Sequence, residues 1–259
     1  MLVAWLVLVV LALAGYVAFR VATRESSQPA SVAAALVRFR ALPPSARTLP
    51  SALRGHALQP GVYVYDTRGV EVSHVLGTRR HPYPRRTTIT VSVTPGGCLS
   101  TRWDVLATRH DAALVCPPRG AGWRLVDQSE EHEFAGHVDR RTYVCTASSA
   151  DGPPRMLPGA AWHSRCAIPG TTTIDDGVVV GARTLLLDGR RTRTLLLREV
   201  TRVRGDTVGA GTSFTWLLPG SGVIVRRTLA NASTTQTIVG PVRYEERATL
   251  ALTTAQPLH

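Results

Sequence analysis

From residue 60 onward apolar and polar positions alternate with period two, the mark of strands with one buried and one wet face. In "TTITVSV", Thr87, Ile89, Val91 and Val93 share one face, while Thr88, Thr90 and Ser92 share the other. In "LSTRWDV", Leu99, Thr101, Trp103 and Val105 line one side, with Ser100, Arg102 and Asp104 opposite. Further strands are predicted at "GVYVYD", "GVEVSHVL", "RRTYVC", "GVVVGARTLLL", "RTLLLREVTRV", "GTSFTWLLP", "GVIVRRTLA" and "VRYEERATLAL". Asp188-Gly189 and Pro219-Gly220-Ser221-Gly222 are hairpin signals between such runs. No helix is legible after residue 60, nor any crossover long enough for a parallel sheet. The pattern therefore predicts a mainly β fold, a curved antiparallel meander of roughly nine to twelve strands. Such a sheet hides its apolar face by closing into a barrel, curling into a half-barrel, or folding into a sandwich. "RTLLLREVTRV" carries apolar residues on both faces and does not separate these outcomes.

The N-terminal pattern differs. Residues 1 to 19, "MLVAWLVLVVLALAGYVAF", hold no charge. As a helix they extend roughly 28 Å, enough to cross a bilayer core. Trp5 and Tyr16 stand near the two ends, where amphipathic rings settle. A cleaved signal peptide is the rival, with "ALA" at 12 to 14 before a cleavage point, but a basic n-region is missing and the apolar run continues past it. No cysteine follows the run, which argues against a lipoprotein anchor. The expected division is 1–22 as a transmembrane anchor, 23–59 as a juxtamembrane helix and linker, and 60–259 as an antiparallel β domain. Within the linker, Val32, Ala35, Leu36 and Phe39 recur at helical spacing until Pro43-Pro44. That short helix could lie on the membrane, pack on the domain, or plug the concavity of a half-barrel.

Orientation is contested within the sequence. Arg20, Arg24, Arg38 and Arg40 all follow the span, which by the positive-inside rule places the domain in the cytoplasm. Long domains, however, translocate largely regardless of flanking charge, and the cysteines favour the outside. Cys98, Cys116, Cys145 and Cys166 form an even set with three pairings open to it. The sequential pairing closes two local loops, each stabilising by about 3 kcal/mol in the chain-entropy model. Four buried free thiols in a cytoplasmic domain are the alternative. The reading adopted is an oxidising compartment and a single-pass membrane protein with its large domain extracytoplasmic.

Charge changes this picture little. All 30 basic residues are arginines, and the net charge is +12. Such a surface attracts polyanions, lipid head groups and envelope polymers included. No basic helix, zinc module or aromatic-basic RNA motif accompanies it, so nucleic acid is not an expected partner.

Candidate chemistry is sparse. "EEHEFAGHVD" (130–139) begins like a zincin motif, but His132 and His137 are five apart, about 140° out of phase on a helix. In one continuous strand they would point to opposite faces. The stretch is read as a strand, a turn near Ala135-Gly136 and a second strand. An acidic calcium site of Glu131, Glu133 and Asp139 lacks any recognised ligand spacing. Ser221 lies in Gly-Ser-Gly without a nucleophile elbow, and "GDTVGAG" lacks the helix a phosphate loop needs. No pair of carboxylates stands out. Hence no catalytic residue, metal or cofactor is expected. The residues expected to line a ligand cavity are Trp103, Phe214, Trp216, Leu218 and Tyr244, read as apolar positions of the sheet's inner face.

Two resemblances bear on this. "PGVYVYDTRGVEV", "YPRRTTITV", "GCLSTRWDVL" with Cys116, and "TWLLPGSGVIVRR" resemble an uncharacterised actinobacterial family of membrane-anchored extracytoplasmic proteins. That likeness implies topology and location only. "TWLLPGSGVIVRRTLA" resembles the strand-turn-strand of LolA/LppX-type half-barrel lipid carriers, which implies a curved sheet around an apolar cavity. Together these give the expected function: a non-enzymatic, membrane-anchored extracytoplasmic β domain binding a hydrophobic or anionic envelope component, a lipid or polymer. The alternative is a structural or protein-interaction domain with no small ligand.

Overall fold

The computed structural model of the chain describes residues 28–53, 58–74, 77–117, 123–134, 137–146, 149–150, 156–237 and 240–259. The expected span, residues 1–22, lies outside them. Among the described residues no helix is long and apolar enough to cross a membrane.

The strands are β1 (Gly61–His74), β2 (Thr78–Pro82), β3 (Arg86–Val93), β4 (Leu99–Leu106), β5 (Arg109–Cys116), β6 (Trp123–Phe134) and β7 (His137–Thr146). They continue as β8 (Ser149–Ala150), β9 (Ala161–Ile168), β10 (Thr171–Leu187), β11 (Arg190–Gly205), β12 (Thr207–Leu217), β13 (Ile224–Thr237) and β14 (Gly240–Leu252). Nearly every strand pairs antiparallel with its sequence neighbour, and β14 returns to pair with β1. That last pairing closes the sheet into a 12-stranded antiparallel barrel. The two-residue β8 pairs only with β6, and β2 continues the β3 edge along β1. Closure decides between the outcomes left open by the sequence: neither a half-barrel nor a sandwich forms. Closing removes the free edges that an open sheet would expose.

Register fixes which residues face inward. Tyr65 opposes Leu252 and Thr87, while Glu71 opposes Glu246, so the odd positions of β1 from Tyr63 to Ser73 share one face with these. Ile89, Val91, Val93, Leu99, Trp103 and Val105 join them in one buried cluster, as the alternation predicts. Asp188 and Gly189 make the β10–β11 turn with φ of 52° and 72°. Both lie in the left-handed region that an Asp-Gly hairpin turn requires.

The two ends of the barrel differ. One is filled: Leu49, Val91, Val93, Leu99, Leu187, Val223 and Leu252 pack there, with Leu53 and Leu58 against them. The other end, carrying the β4–β5, β9–β10 and β11–β12 turns, has no such plug among the described residues.

The helix α1 (Val32–Arg40) is capped by Ser31, whose Oγ accepts from Ala34 N at 2.9 Å. It packs on the outer wall, not in the interior. Its Ala35 and Phe39 bury against Val62, which has the parity opposite to Tyr63. Arg38 Nη2 donates to Asp104 Oδ2 at 2.6 Å on the outer face of β4. Covering that face explains why Thr88 and Asp104, polar and outward, are buried.

Both sequential disulfides form. Cys98–Cys116 joins the starts of the β4–β5 ladder beside Leu99↔Val115, and Cys145–Cys166 bridges two directly paired residues of β7 and β9. Among the described residues the β7–β9 ladder has three registered pairs, Val144↔Ala167, Cys145↔Cys166 and Thr146↔Arg165.

Candidate functional site: a carboxylate-rich barrel cavity

The barrel encloses a cavity of about 1250 Å³. Toward the filled end its wall is apolar and aromatic, with Tyr63, Tyr65, Ile89, Trp103, Ile224 and Leu229. Elsewhere it is charged. Among the described lining residues six are acidic (Asp111, Glu130, Asp139, Asp175, Glu199, Glu246) and four are arginines (Arg79, Arg109, Arg141, Arg227). The whole chain holds 30 arginines and 18 acids, so the balance is reversed inside.

The centre of the polar wall is Arg109, the first residue of β5, with its side chain only 6% exposed. Its Nη1 donates to Glu71 Oε2 at 2.5 Å and to the Tyr83 hydroxyl. Its Nη2 lies 3.0 Å from Glu246 Oε1 and 3.2 Å from Asp111 Oδ2. The rings of Tyr83 and Tyr244 flank the guanidinium at 5.6 and 5.8 Å. Tyr83 OH donates to Glu246 Oε1 at 2.6 Å, Asn231 Nδ2 to Glu246 Oε2 at 3.2 Å, and Tyr244 OH to Glu71 Oε2 at 3.2 Å. Two glycines make room for these groups. A Cβ on Gly69 would strike the Tyr83 ring, and one on Gly211 would strike Asn231 Oδ1.

Titration follows from burial and neighbours. For Glu246, burial favours the neutral acid, but the Arg109 charge and three donors outweigh it and hold the pKa below the ordinary value. Asp111 goes the other way: burial pushes its pKa up despite Arg109, and its Oδ1 is buried without a hydrogen-bond partner. Glu130 stands directly opposite Asp111, and burial inside the barrel followed by the Asp111 charge raises its pKa to about 7. Its side chain is nonetheless open to solvent within the cavity. His132 is lowered to about 4 by burial and by Arg109. Across the cavity, burial raises Asp175, which accepts from Thr201 Oγ1 at 2.6 Å and Ser164 Oγ at 3.2 Å, and it raises Glu199 too.

The residues expected to line a cavity divide. Trp103 and Tyr244 do line it. Phe214 and Trp216 stand on the outer face, because Ser213 and Leu217 take the inward positions opposite Glu199 and Leu195. Phe214 is 36% exposed, and the Arg226 guanidinium lies 5.4 Å from the Trp216 ring. Leu218 packs at the filled end beside the core. Alternation was legible on β12, but its aromatic residues face out, and apart from Leu217 the inward positions are small.

The chain also departs from its sequence reading at two other places. Glu71 and Glu246 are a buried carboxylate pair, although 175 positions separate them. "EEHEFAGHVD" holds the two strands expected, with β6 ending at Phe134 and β7 starting at His137, while the turn read at Ala135-Gly136 lies outside the described residues. The two strands pair antiparallel, with His132 opposite Asp139 and His137 opposite Phe134, so the opposite-parity argument for one continuous strand does not apply between them. Among the described residues no group of three or more His, Cys, Asp or Glu is placed to hold a metal ion.

Fold and site together define a class: a closed, disulfide-stapled antiparallel barrel around a cavity with one aromatic wall and one carboxylate-rich wall. No protein-family model matches the chain, and no curated protein does. Among solved structures it is similar to the hypothetical lipoprotein YmcC from Escherichia coli K12, at 11% identity and a TM-score of 0.33 over 70% of this chain and 85% of that one. It is also similar to a candidate lipoprotein of Parabacteroides distasonis, at 8% identity and a TM-score of 0.30 over 77% and 97%. Likeness of that size bears on neither ligand nor activity.

Proposed function

We propose that this chain is a non-enzymatic, membrane-anchored extracytoplasmic domain that holds an amphiphilic envelope component inside its barrel. The observation carrying this reading is the two-sided cavity. Its volume falls at or above the usual range for small-ligand sites. The apolar part of the ligand would rest on Tyr63, Tyr65, Ile89 and Trp103. Its polar end would face Asp111 and Glu130, which favours an ammonium group or a cluster of hydroxyl donors over the anionic head group expected from the overall charge. Two disulfides support the extracytoplasmic placement, since such bridges persist in oxidising compartments. Titratable groups do converge in a pocket, the condition for any enzymatic reading. Most of the hydrogen bonds of Arg109, Glu71, Glu246 and Tyr83 go to one another and to their wall neighbours, however, which suits a wall better than a reaction centre.

The test is native mass spectrometry of the full chain purified gently from its own membranes, beside Ala113→Trp, which fills the cavity from β5. A bound amphiphile in the parent, lost in a variant with unchanged circular dichroism, is the expected result. Repeated absence of bound mass in the parent overturns the reading and favours a structural or protein-interaction domain.

A further inference from the structure

We infer that the open end of the barrel faces the bilayer, so that ligand passes between the membrane surface and the cavity without crossing bulk water. This rests on the reading above that residues 1–22 anchor the chain.

The route of the chain fixes the geometry. The described chain begins at Gln28, whose carbonyl accepts from Ala107 N at 2.9 Å, and Pro29 bridges to Leu106. Both contacts lie at the β4–β5 turn, at the open end. From there α1 follows the outer wall, held by Arg38 on Asp104 and Phe39 on Val62, and the next segment brings Leu49 to the filled end. The chain therefore enters the domain at the mouth. Six steps from residue 22 to Gln28 reach at most about 20 Å. An anchored domain has no length with which to turn its mouth far from the membrane.

Among the described residues, the cavity lining reaches the barrel end on that side. Its lining extends to Thr78, Thr207 and Val242 near the mouth, but stops at Leu58, Tyr63 and Ile224 below the packed apolar end. Arg80 and Arg204 are exposed at the mouth beside one exposed acid of the β11–β12 turn, Asp206, which leaves the sign that anionic head groups attract. An apolar ligand segment leaving a bilayer would meet this rim first, the carboxylate wall next and the aromatic floor last.

The experiment places a clickable fluorophore at Pro169, in the β9–β10 turn at the mouth, or at Arg190, at the filled end. Each full-length variant is reconstituted in vesicles containing phosphatidylglycerol and an acceptor-labelled lipid. Strands this long, tilted as in barrels, separate the ends by about 40 Å. Strong energy transfer from position 169 with weak transfer from 190 is expected. Equal transfer, or the reverse, overturns the orientation while leaving cavity binding intact. A chain that fails to float with the vesicles sinks the anchor and this inference together. Ligand mass in the same preparations reports on binding separately.

Discussion

At the scale of single residues, the barrel concentrates its risk in Arg109. Three carboxylates and two phenol rings surround this one guanidinium. Removing the charge would leave Glu71 and Glu246 facing each other in register without the cation that both of them contact. Breaking a buried ionic cluster from one side costs about 3–5 kcal/mol. Arg109→Met is expected to lose that much in urea unfolding, and adding Glu71→Gln should restore part of it. Strict additivity of the two changes would show that the groups do not interact. The neighbouring pair titrates in opposite senses. Glu130, raised to about 7, keeps its proton in the folded state where the unfolded chain loses it near 4.5, so it lowers stability as pH rises from 4.5 to 7. His132, lowered to about 4, stays neutral where the unfolded chain protonates near 6.5, so it lowers stability as pH falls from 6.5 to 4. Accordingly, Glu130→Gln should gain stability over the parent on going from pH 4 to pH 8. The His132 ring proton in NMR should hold its neutral shift down to pH 5, and a midpoint near 6.5 would contradict the buried site.

Among the elements, the β7–β9 seam has the fewest backbone pairs of any ladder in the barrel wall among the described residues. Its three backbone pairs are centred on Cys145–Cys166, whereas the β3–β4 ladder carries six and the β10–β11 ladder many more. Removing a native disulfide from a small domain costs about 2–5 kcal/mol. Replacing Cys145 and Cys166 with serine should fall in that range and should also speed amide exchange selectively along β7 and β9. Serine replacement of Cys98 and Cys116, at the end of a β4–β5 ladder whose pairs run unbroken from Leu99 to Asp104, should cost stability without that local signature. Uniform exchange in both variants would show that the seam has no special role. Elements of this kind were unevenly legible. "TTITVSV" and "LSTRWDV" announced their inward faces correctly, because those faces lie in the apolar part of the barrel. β5, "RHDAALVC", and β9, "AWHSRCAI", gave no strand signal, and the reason is physical. β5 points Arg109 and Asp111 into the cavity, so its inner face is as polar as a solvent face. On β1 the usual rule inverts: Glu71 and Ser73 are buried, while the alternating Val70 and Val72 are less so. A barrel with a polar interior erases the contrast on which pattern reading depends, and the carboxylate site sits where that contrast fails. The outer helix was visible by its spacing. Its seat was not, since Val62 and Asp104 look like ordinary outward positions until α1 covers them.

For the whole molecule, charge is sorted by side: the chain carries +12 overall, yet carboxylates outnumber arginines along the described cavity wall. An interior of that sign should discriminate among amphiphiles that share one tail. Decylamine, decanol and decanoate supply the same apolar burial and differ in the group presented to Asp111 and Glu130. Decylamine is expected to raise the melting temperature most and decanoate least. The pH dependence follows from Glu130. Its carboxyl is largely protonated below about 7, and an ammonium binds its ionised form. Binding must then expel the proton, so affinity should rise as pH climbs from 5.5 toward 7 and level off above it. If one proton leaves per ligand, the limiting slope is about tenfold per pH unit, or about 1.4 kcal/mol. Calorimetry in two buffers of different ionisation enthalpy measures the released proton directly. Glu130→Gln should flatten the slope near pH 7 and cut the release, any remainder belonging to Asp111, while leaving decanol binding unchanged. Tighter binding of decanoate than of decylamine, or an affinity indifferent to pH, would mean that the carboxylate wall does not meet the ligand.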